Sequence, residues 1–297
     1  NAFGMVGLAG MCAADAAANA PAVSPLEPKP THFPGRAKRV IFLFMNGGPS
    51  QMDLFDPKEA LEKHHGEPHF DKIAGEVEFP LAAGALMRSM FKFAQHGQSG
   101  MWVSSAMPHL ARQVDEIALL RGMYTTNLTH EPAIFKAHSG QEVTGHPSIG
   151  SWVTYGLGTE NQNLPAYIVL DDPKGLPINK TQSWSSGYLP PLYQGTRFRS
   201  TGSPVLNLKP DYEEPAAITA QERAILRRID RHHLEKNPRI PQLEARIESY
   251  ELAARMQLAA SDAVDLSGET ASTLEMYGIG KEPTDSYGRR CLFARRL

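Results

Sequence analysis

The stretch Asn46-Gly-Gly-Pro-Ser-Gln-Met-Asp53 gathers a carboxamide, a hydroxyl and a carboxylate at Asn46, Ser50 and Asp53. Oxygen donors of this kind suit a divalent cation or hold a hydrolytic water in place. Gly47 and Gly48 let the backbone turn tightly and come close to a ligand. The same residues also fit a plain strand-to-helix turn in which Ser50 or Asp53 caps the helix. The stretch is not a phosphate-binding P-loop, because no Gly-Lys-Ser/Thr follows the glycines.

A second group lies between Gly122 and Pro132, where Thr125, Thr126, Thr129 and His130 precede a predicted helix, Glu131 to Ser139. A hydroxyl there can be activated for attack, and free N–H groups at a helix start can hold an anion. Taken on the residues alone, N-capping by Thr129 is the simpler reading. Among the other histidines, His64, His65 and His69 share a charged loop that reads as a metal cluster or as exposed polar surface. His138 and His146 flank the turn before Ser148 and either line a cleft or pack, while His232 and His233 read as surface. Gly-x-Ser-x-Gly, His-Glu-x-x-His and Cys-x-x-Cys are absent. Cys291 and Arg295 do not form the Cys-x-Pro-x-Arg pattern of formylglycine sulfatases.

These groups need a scaffold. The continuous apolar run from Arg39 to Met45 predicts a strand buried on both faces, as in a parallel sheet, with the Asn46 loop at its carboxyl end. A helix is expected from Ala106 to Val114, a second strand over Ile117–Leu120, and a helix capped by Ser148 running through Tyr155 to Gly156 and Gly158. A third strand is expected over Leu164–Leu170. This alternation predicts an α/β fold with a mainly parallel sheet covered on both sides, its ligands bound beyond the carboxyl ends of the strands. Residues 172–207 have no period, but Trp184, Tyr188, Tyr193 and Phe198 argue against disorder there. Residues 216–263 predict a charged helical hairpin broken at Pro238 and Pro241. Ile225, Leu226, Ile229 and His233 share one face of it, and Leu243, Ile247, Tyr250, Ala254 and Leu258 form a stripe on the second helix.

Composition bounds the function. The 297 residues are 41% hydrophobic and 21% charged, with a net charge of −2, which excludes a disordered chain and argues against a nucleic-acid binder. No apolar run is long enough to span a bilayer as a helix. Two cysteines, Cys12 and Cys291, provide no disulfide framework. The apolar run at residues 3–11 and the small residues Ala18-Asn-Ala20 read as the remnant of an export signal over 1–20, with a small buried helix as the alternative. Export removes Cys12 with that signal. A Pro-rich linker is expected over 21–38. Tyr287–Leu297 reads as a basic amphipathic helix with no stop signal after it, so 39–297 is expected to be the N-terminal part of a larger domain.

The segment Arg39 to Lys58, with its Asn46-Gly-Gly-Pro-Ser-Gln-Met-Asp53 core, resembles the opening of the bacterial domain of unknown function 1501 family. Phe91-Lys-Phe-Ala-Gln-His-Gly-Gln-Ser-Gly100, Gly150-Ser-Trp-Val-Thr-Tyr-Gly-Leu-Gly158, Glu248 to Met256 and Tyr287 to Arg296 are similar in the same order. Such proteins are abundant in planctomycete-like bacteria and often carry a twin-arginine export signal, which implies a periplasmic or cell-surface location. The family is grouped with the alkaline phosphatase-like superfamily of sulfatases and phosphomutases. The resemblance therefore implies a three-layer α/β/α fold and a site for a divalent metal ion at the strand ends. It implies Asp53 as a metal ligand and the second loop as the place of the nucleophile, where Thr129-His130 stands in place of a pattern closer to Asn-His. The Gly-Arg-Thr-Pro and Asp-His-Trp segments of the family do not occur in these residues.

Two functions follow from the resemblance. One is an exported sulfatase/phosphatase-like, metal-dependent hydrolase of sulfate or phosphate esters, on small molecules or polysaccharide. In it Asp53 binds metal, Thr129 or a nearby hydroxyl attacks, His130 binds substrate or metal, and Asn46 and Ser50 orient substrate oxygens. The other is a catalytically silent exported protein of the same fold, whose aromatic segment 172–207 binds carbohydrate or a protein partner.

Overall fold

Glycine and proline interrupt the apolar runs of this chain every few residues, and the backbone responds with short elements. The computed structural model describes residues 24–68, 79, 82–172, 174–199, 205, 215–238 and 240–297. The export-signal stretch 1–20 with Cys12, the first residues of the Pro-rich stretch, and His69 lie outside the described residues. The chain is a mixed α/β protein that divides into two units, one of residues 42–137 and one formed by the chain up to Ile41 together with His138–Leu297.

The 42–137 unit holds helices α1 (Gln51–Leu54) and α2 (Glu59–Lys63), strands β1 (Phe93–His96) and β2 (Met101–Ser104), and a 3-10 helix at Leu110–Glu116. Helix α3 (His130–Ser139) begins in this unit and ends in the other. β1 and β2 form an antiparallel hairpin with Ala94 opposite Val103 and Gln95 opposite Trp102. Val103, Ala111 and Val114 form its core, with Phe55, Met101 and Met107 packed around them. Asp115 ties the hairpin turn to the 3-10 helix by accepting from the N–H groups of Gln98 at 3.0 Å and Ser99 at 2.8 Å. Gly97 sits in that turn at φ +63°, and a Cβ there would fall 2.4 Å from Asp115 Oδ1, so the site admits only glycine without displacement.

The other unit holds α4 (Ile149–Leu157), β3 (Ile168–Leu170), β4 (Thr196–Phe198), α5 (Ala216–Lys236), α6 (Pro241–Val264), α7 (Ala271–Met276) and α8 (Asp285–Arg296), with 3-10 helices at Lys180–Trp184 and Pro191–Tyr193. β3 and β4 pair in parallel, Val169 opposite Arg197. Leu252, Met256 and Ala260, four residues apart on α6, pack with Leu164 and Phe198. The buried face of α6 therefore lies on Ala245, Leu252, Met256 and Ala260, while Tyr250 from the expected stripe faces solvent. Both stripes are apolar, and the position of the small sheet selects between them. Ile225, Leu226 and Ile229 of α5 are likewise exposed.

The described part of the Pro-rich stretch includes a packed segment near Leu26. Leu26 is 3% exposed, and its carbonyl accepts from the Thr159 N–H at 2.8 Å and from Gln162 Nε2 at 3.2 Å. The Lys29 N–H donates to the Leu157 carbonyl at 2.9 Å. Gly158, at φ +67°, leaves room for this strap, since a Cβ there would lie 2.0 Å from the Glu27 carbonyl oxygen.

Several expected strands are corrected. Residues 39–45 form no strand, and Val40 and Leu43 are 77% and 59% exposed. Residues 117–120 are also irregular, and the strand expected over 164–170 is reduced to three residues. An apolar run becomes a strand only where a neighbour satisfies its N–H and C=O groups, and neither of the first two runs has one among the described strands. The helix expected over 106–114 is a 3-10 helix shifted towards Glu116. The described strands form two two-stranded sheets in place of an extensive, mainly parallel one.

Candidate functional site

Two consecutive left-handed glycines, Gly47 at φ +86° and Gly48 at φ +67°, turn the chain out of the apolar run and into α1. Ser50 takes the N-cap position of α1, where its carbonyl accepts from the Asp53 N–H at 3.0 Å, but its side chain makes no capping bond. The Asp53 carboxylate is instead hydrogen-bonded by the Ser89 and Ser50 hydroxyls, in that order of effect, which hold its pKa below the usual carboxylate range. Beside it, Asp56 accepts from Lys58 Nζ at 2.5 Å and from Arg121 Nη2 at 2.5 Å. These partners hold Asp56 ionised, the Lys58 hydrogen bond foremost. Asp56 had no role in the sequence reading; the one signal for it is the Asp-Pro-Lys step.

At the second loop, Asn127 Oδ1 accepts the Thr129 N–H at 2.9 Å, and the Thr129 carbonyl accepts from the Ala133 N–H at 3.2 Å to open α3. The Thr125 hydroxyl donates to the Asn127 carbonyl at 3.3 Å, and the Thr126 hydroxyl accepts from Lys136 Nζ at 2.7 Å. Asn127 thus forms a turn onto Thr129, the residue before the helix, and Thr129 and His130 are both exposed at the helix start.

The structure thus places Asn46, Ser50 and Asp53 on one loop and Thr129 and His130 on another. No hydrogen bond or ion pair joins the two sets among the described residues. For a divalent metal, the described residues supply Asp53 as the one carboxylate of its loop, with neutral oxygens from Asn46 and Ser50. No group of three or more His, Cys, Asp or Glu able to hold a metal ion occurs among the described residues. His64 and His65 have local partners instead: His64 Nδ1 meets Glu67 Oε2 at 2.8 Å, and the Arg88 N–H donates to His65 Nδ1 at 3.3 Å.

The aromatic segment sorts into two classes. Trp184, Tyr193 and Phe198 are buried, while Tyr188 is 65% exposed. Tyr188 joins a row of rings completed by α4, with Trp152 and Tyr155 three residues apart on that helix. The row runs His146–Tyr188 at 5.8 Å, Tyr188–Trp152 at 6.1 Å, Trp152–Tyr155 at 6.0 Å and Tyr155–Tyr193 at 5.3 Å, each pair edge to face. Lys29 closes one end, with Nζ 5.2 Å from the Tyr155 ring centre and 5.9 Å from that of Tyr193. Ser148 stands at the N-cap of α4 without capping it. Its hydroxyl meets Ser151 Oγ at 3.1 Å, and Ser151 donates to the Ser185 carbonyl at 3.1 Å, fixing the helix to the aromatic segment.

No helix among the described residues is long and apolar enough to cross a membrane. A family model described as protein of unknown function (DUF1501) matches residues 37–297. No curated protein and no solved structure matches the chain.

Proposed function

Because the chain belongs to the DUF1501 family, we propose that it is an exported, sulfatase/phosphatase-like hydrolase of sulfate or phosphate esters. The observation that carries this reading is the Thr129–His130 pair, exposed at the start of a ten-residue helix. In this reading the Thr129 oxygen attacks the sulfur or phosphorus of the ester. The bond to the alcohol oxygen breaks, the alcohol leaves with a proton, and water releases the acid from Thr129 in a second step. His130 and the first N–H groups of α3 bind the anionic oxygens. Ser50 and Asn46 orient further substrate oxygens. The three-layer α/β/α arrangement, the periplasmic or cell-surface location and the divalent metal at Asp53 belong to the same proposal and rest on the family resemblance.

The test is turnover of an aryl sulfate and an aryl phosphate by the full-length protein purified with divalent metal. Thr129→Ala and His130→Ala are expected to remove it, and Asp53→Ala is expected to lower both activity and metal content. Unchanged metal content and activity in Asp53→Ala would take Asp53 out of the site. A catalytically silent protein of the same family is the second reading, favoured by the lack of a three-ligand group among the described residues.

A further inference from the structure

The row of rings on α4 and the 172–207 segment has no part in the chemistry above. Its exposed members are Tyr188, Trp152 and Tyr155, and each carries a polar edge beside an apolar face. The row is held in place before any ligand arrives. Gly187, at φ +56°, lets the chain lie against His146–Pro147, where a Cβ would come 2.5 Å from the His146 carbonyl carbon, and this seats Tyr188 between His146 and Trp152. At the other end Lys29 Nζ donates to the Tyr155 carbonyl at 2.6 Å while lying over the Tyr155 and Tyr193 rings. No carboxylate pairs with that ammonium among the described residues, so the end of the row keeps a positive charge.

A strip of exposed rings stacks against the C–H faces of sugar rings, and a fixed cation at its end selects a charged sugar. We propose that Tyr188, Trp152 and Tyr155, with Lys29, form a binding platform for an anionic, ester-bearing polysaccharide. The choice of an ester-bearing chain rests on the hydrolase reading; the platform itself does not.

Affinity electrophoresis through gels containing a sulfated galactan, and the same galactan after desulfation, tests this. The full-length protein is expected to be retarded more by the sulfated chain. Tyr188→Ala and Trp152→Ala should weaken retardation by roughly tenfold in apparent affinity, the scale of one lost aromatic contact. Tyr188 is exposed enough for its replacement to leave the fold intact, which thermal melting checks. Lys29→Gln should erase the preference for the sulfated chain. Retardation that is absent, or unchanged in Tyr188→Ala and Trp152→Ala, overturns the platform. Aryl ester turnover without retardation overturns the platform and spares the hydrolase reading; retardation without turnover does the reverse.

Discussion

Lys29 Nζ donates to the Tyr155 carbonyl oxygen at 2.6 Å and lies 5.2 Å from the centre of the ring of the same residue. One side chain thus closes the end of α4 and places a positive charge at the carbonyl end of its dipole. Lys29 comes from a Pro-rich stretch that reads as a linker, and it reaches a helix more than a hundred residues away in sequence. The packed strap Ser24–Lys29 belongs to the unit that carries the aromatic row.

The strap should contribute to stability as a core element does. Leu26→Ala removes a side chain that is 3% exposed and is expected to cost about 2–5 kcal/mol. Gly158→Ala should cost more than about 1 kcal/mol, because its φ is left-handed and its Cβ would meet the Glu27 carbonyl. Urea denaturation measures both; a loss below that range in each variant would show that the strap is only loosely attached.

Acid should loosen the hairpin of the 42–137 unit. The Gln98 and Ser99 N–H groups hold the Asp115 pKa below the ordinary carboxylate value of about 3.9. Its contribution to stability is therefore complete above that value and is lost as the pH falls through the lower pKa of the folded state. Asp115→Asn is expected to be less stable than wild type at neutral pH, with the difference shrinking as the pH drops below about 3.9. A difference that stays constant down to pH ~2 would contradict this account.

Gly187 should govern binding without touching ligand. Gly187→Ala is expected to push the chain off His146–Pro147, displace Tyr188 and reduce polysaccharide retardation as far as Tyr188→Ala does. Retardation equal to wild type in this variant would show that Tyr188 does not depend on the close approach.

Local signals made the longer helices of the second unit legible. Ser148 before it and Gly158 after it located α4, and Pro238 and Pro241 marked the break between α5 and α6. Strands are relations between distant segments, and a run such as Val40–Met45 looks the same whether or not a partner pairs with it. β4 was not foreseen because Arg197 stands between Thr196 and Phe198 in a three-residue strand, too short for a period to register. Of the aromatic row, Tyr188 and Tyr193 were legible as ordered rings in a loop. Trp152 and Tyr155 passed as ordinary helix residues, because only the folded chain brings them beside Tyr188. Thr129 and His130 were legible by type, but the turn in which Asn127 Oδ1 accepts the Thr129 N–H appears only in the geometry.

The central claim is that Thr129 attacks the ester, and the most direct measurement is mass spectrometry of the full-length protein quenched in acid during turnover of an aryl phosphate. The account predicts a phosphoryl adduct on the peptide that contains Thr129, absent from Thr129→Ala. Turnover with no adduct, an adduct on another residue, or no turnover at all would contradict it.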